Sequence, residues 1–447
     1  MKTIIVGAGV VGFEIACQLI TDGHDVVIIE KNRERYKQIE KHLDCTTINE
    51  SGTDIKILRQ AGVQDADFFI SVTESDEINM ILCSIVTSEF PKCIKIARIR
   101  NLEYQNPKVV QNLGIDYVVN PEIEAVQTII NTIKHGATSD IHEFENADFQ
   151  IRNIHVSEDS YFYDKTVWEI KQTLEKDFLI IGIIREGQLI IPNGSTVVED
   201  NDLIYLIADE KTLDDIFTLE GRPKKQLKKI IIVGGNKIGK EIIYYMLKKK
   251  KQVTLIDKDP KVCKYIKEEF PNALVLTADI TDETIFQEER LENYDLMITT
   301  TNNQELNILT SIYAKAIGIQ RTMGLVVNSN YLKIANRLGL DAIISPKLSV
   351  IDKILQIVRK GNTKAVHSIF DGSTQIIEFL ITENNKLIGK TLKEIDIPKD
   401  TLIVSLTRDN KAEIPHGNTQ FQLHDIASVL VRANPESLNI VKKLFDS

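Results

Sequence analysis

IIVGAGVVGFEIA, Ile4 to Ala16, and IIIVGGNKIGKEI, Ile230 to Ile242, are two versions of one phrase. In each, a β-branched run ends in a glycine and a second glycine opens an amphipathic stretch: Gly7 with Gly12, and Gly234 with Gly239. This is the strand–turn–helix start of a dinucleotide-binding fold. The first loop, Gly7, Ala8, Gly9, Val10, Val11, Gly12, carries all three fingerprint glycines. Gly7 permits the tight turn, Gly9 lets backbone approach a pyrophosphate, and Gly12 permits close helix–strand packing. The second loop, Gly234, Gly235, Asn236, Lys237, Ile238, has asparagine in the place of Gly9. Asparagine tolerates a left-handed φ, but its side chain is expected to occupy the space a pyrophosphate approaches.

The likeness extends along the whole chain. At an offset of about 227 residues, Glu30 ending DVVIIE meets Asp257 ending QVTLID, and DADFFISVTESDEINM meets NYDLMITTTNNQELNI. RNLEY from Arg100 meets VNSNY from Val327, and NPEIEAV from Asn120 meets SPKLSVI from Ser345. At about 223 to 225, DKTVWEI from Asp164 meets GKTLKEI from Gly389, and Arg185, Pro192, Gly194 and Asp202 meet Arg408, Pro415, Gly417 and Asp425. The period is far too long for a solenoid, so it reads as duplicated domains in the order A–B–A′–B′. The expected boundaries are 1–140, 141–221, 228–360 and 361–447.

In each A unit, short apolar runs alternate with helical patterns. The first copy predicts strands at Thr3–Val6, Asp25–Glu30, Cys45–Ile48, Phe68–Val72, Ile94–Arg98 and Tyr117–Val119. Runs such as FFISV are apolar on both faces, as parallel strands covered by helices are. The fold class is α/β: two doubly wound, Rossmann-like parallel sheets. Each is followed by a small α+β domain of about 70 to 80 residues with turns at PNG and PHG.

Glu30 ends the second strand, where a carboxylate accepts hydrogen bonds from ribose hydroxyls and repels a 2′-phosphate. That favours NAD(H) or another adenine nucleotide over NADP(H). Thr73 and Glu74 follow the fourth strand, beside the topological switch point where open α/β sheets bind ligands. Thr73 has a second reading, as the cap of the next helix. Arg98 ends the fifth strand, within reach of a phosphate, a neighbouring subunit or a surface carboxylate. In the second copy Asp257 keeps the ribose carboxylate, Thr301 and Asn302 replace Thr73 and Glu74, and Leu325 falls where Arg98 was. The second site is expected to bind an adenosine moiety more weakly, or with different phosphate requirements.

Other classes lose support. The net charge is −10, and the one dense basic run, RPKKQLKK from Arg222 to Lys229, sits at a domain junction and reads as a linker, not a nucleic-acid surface. Five cysteines without CxxC spacing point to a reducing compartment, and eight histidines show no metal-binding spacing. No apolar run approaches the roughly 20 residues of a membrane span. MKTIIVGAG enters a strand at once, so no signal peptide is expected. An NAD-dependent oxidoreductase needs an acid–base residue set against the nicotinamide. No such pair is evident, so catalytic and metal residues are expected to be absent. Enzyme chemistry remains the alternative to a nucleotide-driven conformational switch.

The A–B–A′–B′ order, IIVGAGVVG with Glu30, SVTESDEIN with IARIRN, and the IPNG and IPHG turns resemble the RCK/KTN family of potassium-channel regulators over essentially the whole chain. The resemblance implies a cytosolic, pore-less protein that assembles as a homotetrameric ring beneath a membrane potassium transporter of the TrkH or KtrB type. It implies binding of NAD(H) and, in some members, ATP or ADP. By position, Gly7 to Val11, Glu30, Thr73, Glu74 and Arg98 would form the first nucleotide site, and Gly234 to Ile238 with Asp257 would begin the second.

Overall fold

The computed structural model describes residues 1–134, 142–144, 147–220, 227–328, 331–332, 338, 340–359, 364–369, 374–383, 385–398, 401–409, 411–432 and 435–445. The expected junctions at 140/141, 221 and 360/361, residues 222–226 of the basic run, and residues 329–330 and 410 of the matched repeats lie outside them.

The first domain comprises β1 (Lys2–Val6), α1 (Val10–Thr21), β2 (Asp25–Ile29), α2 (Arg33–His42), β3 (Thr46–Ile48), α3 (Ile55–Gln60), β4 (Phe68–Ser71), α4 (Asp76–Glu89), β5 (Ile94–Arg98), α5 (Pro107–Asn112), β6 (Tyr117–Val119) and α6 (Pro121–Lys134). Its sheet runs β3-β2-β1-β4-β5-β6, parallel throughout, so the switch point lies between β1 and β4. Each strand falls within one residue of its expected bounds. Ile4, Ile5, Ile28, Phe69, Ile70 and Ile96 are fully buried, which is why these runs read as continuous and not alternating.

A small antiparallel domain follows: β7 (His142–Phe144), β8 (Ala147–His155), α7 (Val167–Leu174), β9 (Leu179–Arg185), β10 (Gln188–Ile190), β11 (Leu203–Asp209) and α8 (Glu210–Leu219), with sheet order β10-β9-β11-β8-β7. The second parallel domain has β12 (Lys229–Val233), α9 (Lys237–Lys248), β13 (Gln252–Asp257), α10 (Pro260–Glu269), β14 (Leu274–Thr277), α11 (Thr284–Glu288), β15 (Leu296–Thr299), α12 (Gln304–Ala316), β16 (Arg321–Leu325), β17 (Ala342–Ile344) and α13 (Pro346–Arg359). Its order, β14-β13-β12-β15-β16-β17, repeats the first sheet strand for strand. The last domain has β18 (Lys364–Ile369), β19 (Thr374–Leu380), β20 (Thr401–Arg408), β21 (Lys411–Glu413), β22 (Ile426–Arg432) and α14 (Pro435–Phe445), in the order β18-β19-β22-β20-β21.

The arginines and aspartates matched between the small domains pair with each other. Arg185 clasps buried Asp202 through Nε and Nη2, at 2.8 and 2.7 Å, and Arg408 clasps buried Asp425 in the same way, at 2.8 and 2.9 Å. Such bidentate pairs hold a buried carboxylate that would otherwise be costly. Phe149, Ile151, Ile181 and Ile207 of one small sheet pack with Ile376, Val404 and Leu430 of the other.

The two parallel-sheet domains form one compact unit and the two small domains a second. Within the first unit the last helices are exchanged. Ala125, Val126, Ile129, Ile130 and Ile133 of α6 belong to the core around Ile230, Ile232 and Leu255 of the second sheet. Val350, Ile351, Ile354, Leu355 and Val358 of α13 belong to the core around Ile5, Ile28 and Ile70 of the first. The two helices touch where Thr128 Oγ1 and Ser349 Oγ lie 3.0 Å apart. Each repeat therefore completes the other's core. Ile129→Val, which removes one methylene from a fully buried position, is expected to cost about 1 kcal/mol. Hydrogen exchange should quicken in β12 and its neighbours. Loss of protection confined to β1 and its neighbours would contradict the exchange.

Candidate functional site

Two of the three glycine roles are the same in both copies. Gly7 has φ +100° and Gly234 φ +103°, values that L side chains rarely adopt. A Cβ on Gly12 would lie 1.9 Å from the Gly7 carbonyl oxygen, and one on Gly239 2.0 Å from that of Gly234. Both turns thus need their glycines for packing, whatever they bind.

The third position separates the copies, for a reason other than the expected one. Gly9 has φ −65° and Asn236 φ −69°, so left-handed tolerance plays no part. Gly9 begins α1 without any side-chain cap. A Cβ there would meet only Arg35 Nη1, at 3.8 Å. Asn236 instead caps α9: its Oδ1 accepts from Gly239 N at 3.0 Å, and its Nδ2 donates to the Thr300 carbonyl. Thr300, where the first copy has Val72, ties the loop further by donating to the Gly234 carbonyl at 2.9 Å. A helix N-terminus leaves several N–H groups unpaired, and these attract phosphate. At α1 they have no side-chain competitor. At α9 the asparagine takes one of them, so its effect lies in capping more than in bulk.

The two carboxylates at the ends of β2 and β13 support the loops. Glu30 accepts from Ala8 N at 2.6 Å and from Asn32 N at 2.7 Å. Asp257 accepts from Gly235 N at 2.7 Å and from Asp259 N at 2.8 Å. Each carboxylate oxygen has lone-pair capacity beyond one bond, so a ribose hydroxyl can share it.

Beyond β4, Thr73 is held by the buried Asn79. Asn79 Oδ1 accepts from Thr73 N at 2.9 Å and from Thr73 Oγ1 at 2.7 Å, and Asn79 Nδ2 donates to the Arg98 carbonyl at 2.8 Å. Asn307 repeats this with Thr301 and Leu325. Thr73 does not cap the next helix; Ser75 does, accepting from Ile78 N at 3.2 Å. Arg98 makes no salt bridge among the described residues. It donates through Nη2 to the Thr73 carbonyl at 2.9 Å, and its buried Nε has no partner. Burial, reinforced by Arg100, holds this guanidinium below its ordinary pKa. A desolvated cation with an unspent donor is the group an anionic ligand would satisfy. Glu74 lies at the rim, bound to Arg35 at 2.7 Å.

Around these residues the first cleft has a volume of about 1000 Å³ and carries Arg35, Arg98, Arg100 and Lys347. The second, between Gly234, Asp257, Asp279 and Thr301, has about 350 Å³. At the positions of Arg35, Arg98 and Arg100 the second repeat has Val262, Leu325 and Val327. Lys347 belongs to α13, delivered to the first cleft by the helix exchange. Its counterpart on α6 is Glu122, which pairs with Lys237 at 3.7 Å. One cleft is roomy, cationic and uncapped, and the other small, self-capped and acidic. Of the residues named from sequence, Gly7 to Val11, Glu30, Thr73, Glu74 and Arg98 line the first cleft and Gly234, Asn236 and Asp257 the second, while Gly12, Gly235, Lys237 and Ile238 line neither; Arg35, Arg100 and Lys347 join the first cleft, and Asn79 organises its Thr73.

Among the described residues no group of histidine, cysteine, aspartate and glutamate is placed to hold a metal, and no helix is long and apolar enough to cross a membrane. The five cysteines are free thiols, and burial pushes Cys83 and Cys93 up to about 12.

A duplicated Rossmann fold with paired small antiparallel domains defines a tandem nucleotide-fold protein. Residues 3–121 and 230–346 match the TrkA-N domain, and residues 151–221 and 376–446 the TrkA-C domain. The chain belongs to the TrkA-N/TrkA-C family. It is 29% identical over 456 residues to the Trk system potassium uptake protein TrkA of Halomonas elongata, covering 100% of this chain and 98% of that one. It is 27% identical over 447 residues to the TrkA homolog of Archaeoglobus fulgidus, with both chains fully covered. Among solved structures, the GsuK RCK domain aligns with TM-score 0.53 at 20% identity, covering 100% of this chain and 95% of that one. The GsuK channel bound to NAD aligns with TM-score 0.54 at 20% identity, covering 100% and 79%. These structural likenesses establish the fold.

Proposed function

We propose that this chain is the nucleotide-sensing regulatory subunit of a potassium uptake system, and that sensing resides in the first repeat. The observation that carries the sensing half is the contrast between α1, uncapped and faced by Arg35, Arg98 and Arg100, and α9, capped by Asn236. Gly7 to Gly12 would cradle the pyrophosphate of NAD(H), Glu30 would hold the adenosine ribose, and Thr73 and Arg98 would meet the phosphates. ATP or ADP would fit the same donors. Gly234 to Ile238 and Asp257 would hold an adenosine moiety at most. The potassium half is supported by the full-length relatives, which are named potassium uptake proteins.

The protein acts in this reading as a regulator without catalytic groups, in the cytoplasm, as a homotetrameric ring beneath a transporter of the TrkH or KtrB type. Nucleotide binding shifts the ring between two conformations in proportion to its differential affinity for them, and the transporter follows. Deleting the chain should reduce potassium uptake at low external potassium. Wild type should restore it, and Arg98→Leu should restore it only in part. Unchanged uptake after deletion, or steady consumption of NADH by the purified chain with some metabolite, would favour an enzyme instead.

A further inference from the structure

We infer that Glu74 competes with ligand phosphate for Arg35, so that the pair sorts nucleotides entering the first cleft by their phosphate charge. The inference rests on the nucleotide reading above. Arg35 reaches over the glycine loop from α2, with Nη1 3.8 Å from where a Cβ on residue 9 would sit. That is the approach path of a phosphate to α1. Its other terminal nitrogen, Nη2, donates to Glu74 Oε1 at 2.7 Å. One guanidinium thus faces the phosphate position and an internal carboxylate at once.

The pair is built to exchange. The side chains are 42% and 73% exposed, so the bond is weakly held and easily replaced. The backbone beneath is fixed: Arg98 binds the Thr73 carbonyl and Arg100 the Glu74 carbonyl, leaving the Glu74 side chain free to swing. Arg35, Arg98 and Arg100 together favour the charged carboxylate, holding Glu74 below the usual range. The second repeat lost both partners together, with Val262 for Arg35 and Asn302 for Glu74, at the cleft whose loop is self-capped. A structural strap would have no reason to disappear with the phosphate donors. A ligand phosphate gains Arg35 only by displacing Glu74, and any negative charge that stays near Glu74 is repelled.

The test is calorimetric titration of the full chain, in low salt without divalent cations, with adenosine, AMP, ADP, ATP and NADH. Glu74→Gln should tighten ATP about three- to ten-fold, with smaller gains for ADP and then AMP, and none for adenosine. In Arg35→Gln/Glu74→Gln the gain should vanish, while both variants melt as wild type does. Binding by wild type with no gain in Glu74→Gln, or an equal gain for adenosine, would overturn this inference alone. Failure of wild type to bind any of the five would overturn the proposed function with it.

Discussion

Replacing Arg35, Arg98 and Arg100 together by the valine, leucine and valine of the second repeat should weaken NADH and ATP binding by about 100-fold or more. Hydrogen bonds to charged groups contribute about 1.5–3 kcal/mol each where they are shielded from water, and less at an exposed rim. Arg98 should dominate. It is the most buried of the three and has an Nε without a partner. Arg98→Leu alone should cost about ten-fold in affinity. Its effect on stability should have the opposite sign or be negligible, because it removes a buried cation that forms no salt bridge among the described residues. Calorimetry and thermal melting on the same variants separate the two. Affinity retained within about three-fold in the triple variant would exclude these arginines as phosphate ligands.

The duplication supplies its own control. Gly12→Ala and Gly239→Ala put a Cβ 1.9 and 2.0 Å from the same carbonyl in their own repeats. Each should destabilise its domain by about 2–3 kcal/mol, the cost of overpacking a rigid contact. Only Gly12→Ala should also abolish NADH binding, since of the two glycine-loop helices α1 lacks a side-chain cap and α9 has one. The readout is the melting temperature of both variants together with an NADH titration of each, at a temperature where both are folded. Equal loss of NADH binding in the two would mean that the second loop takes part.

The doubly wound class and the strand bounds of the first copy were legible because buried parallel strands leave continuous apolar runs and because the chain states each domain twice. The glycine roles at Gly7 and Gly12 followed from the same motif. The role of Asn236 was only half legible. Its identity marks the departure, but whether a side chain fills the cleft or folds down onto Gly239 N depends on a rotamer that no sequence pattern fixes. Arg35 could have been found by carrying the repeat comparison into α2, where it meets Val262 just as Arg98 meets Leu325. Lys347 could not. It reaches the first cleft only because α13 packs on the first sheet, and an amphipathic helix does not record which of two equivalent sheets it covers. The matched Arg185/Asp202 and Arg408/Asp425 pairs carry the converse lesson. Their recurrence reflects two small folds that each need one buried carboxylate clasped.

In the proposed reading the first repeat alone keeps a phosphate-ready site, the second having supplied its own cap. The most direct measurement is a calorimetric titration of the purified full-length chain with NADH, read as stoichiometry per chain. One tight site is expected, weakened at least about ten-fold in Arg98→Leu/Arg100→Val and retained when Asn236 is replaced by glycine. Two sites of equal affinity in the wild-type chain would contradict it, for then neither the Asn236 cap nor the missing arginines would decide what binds.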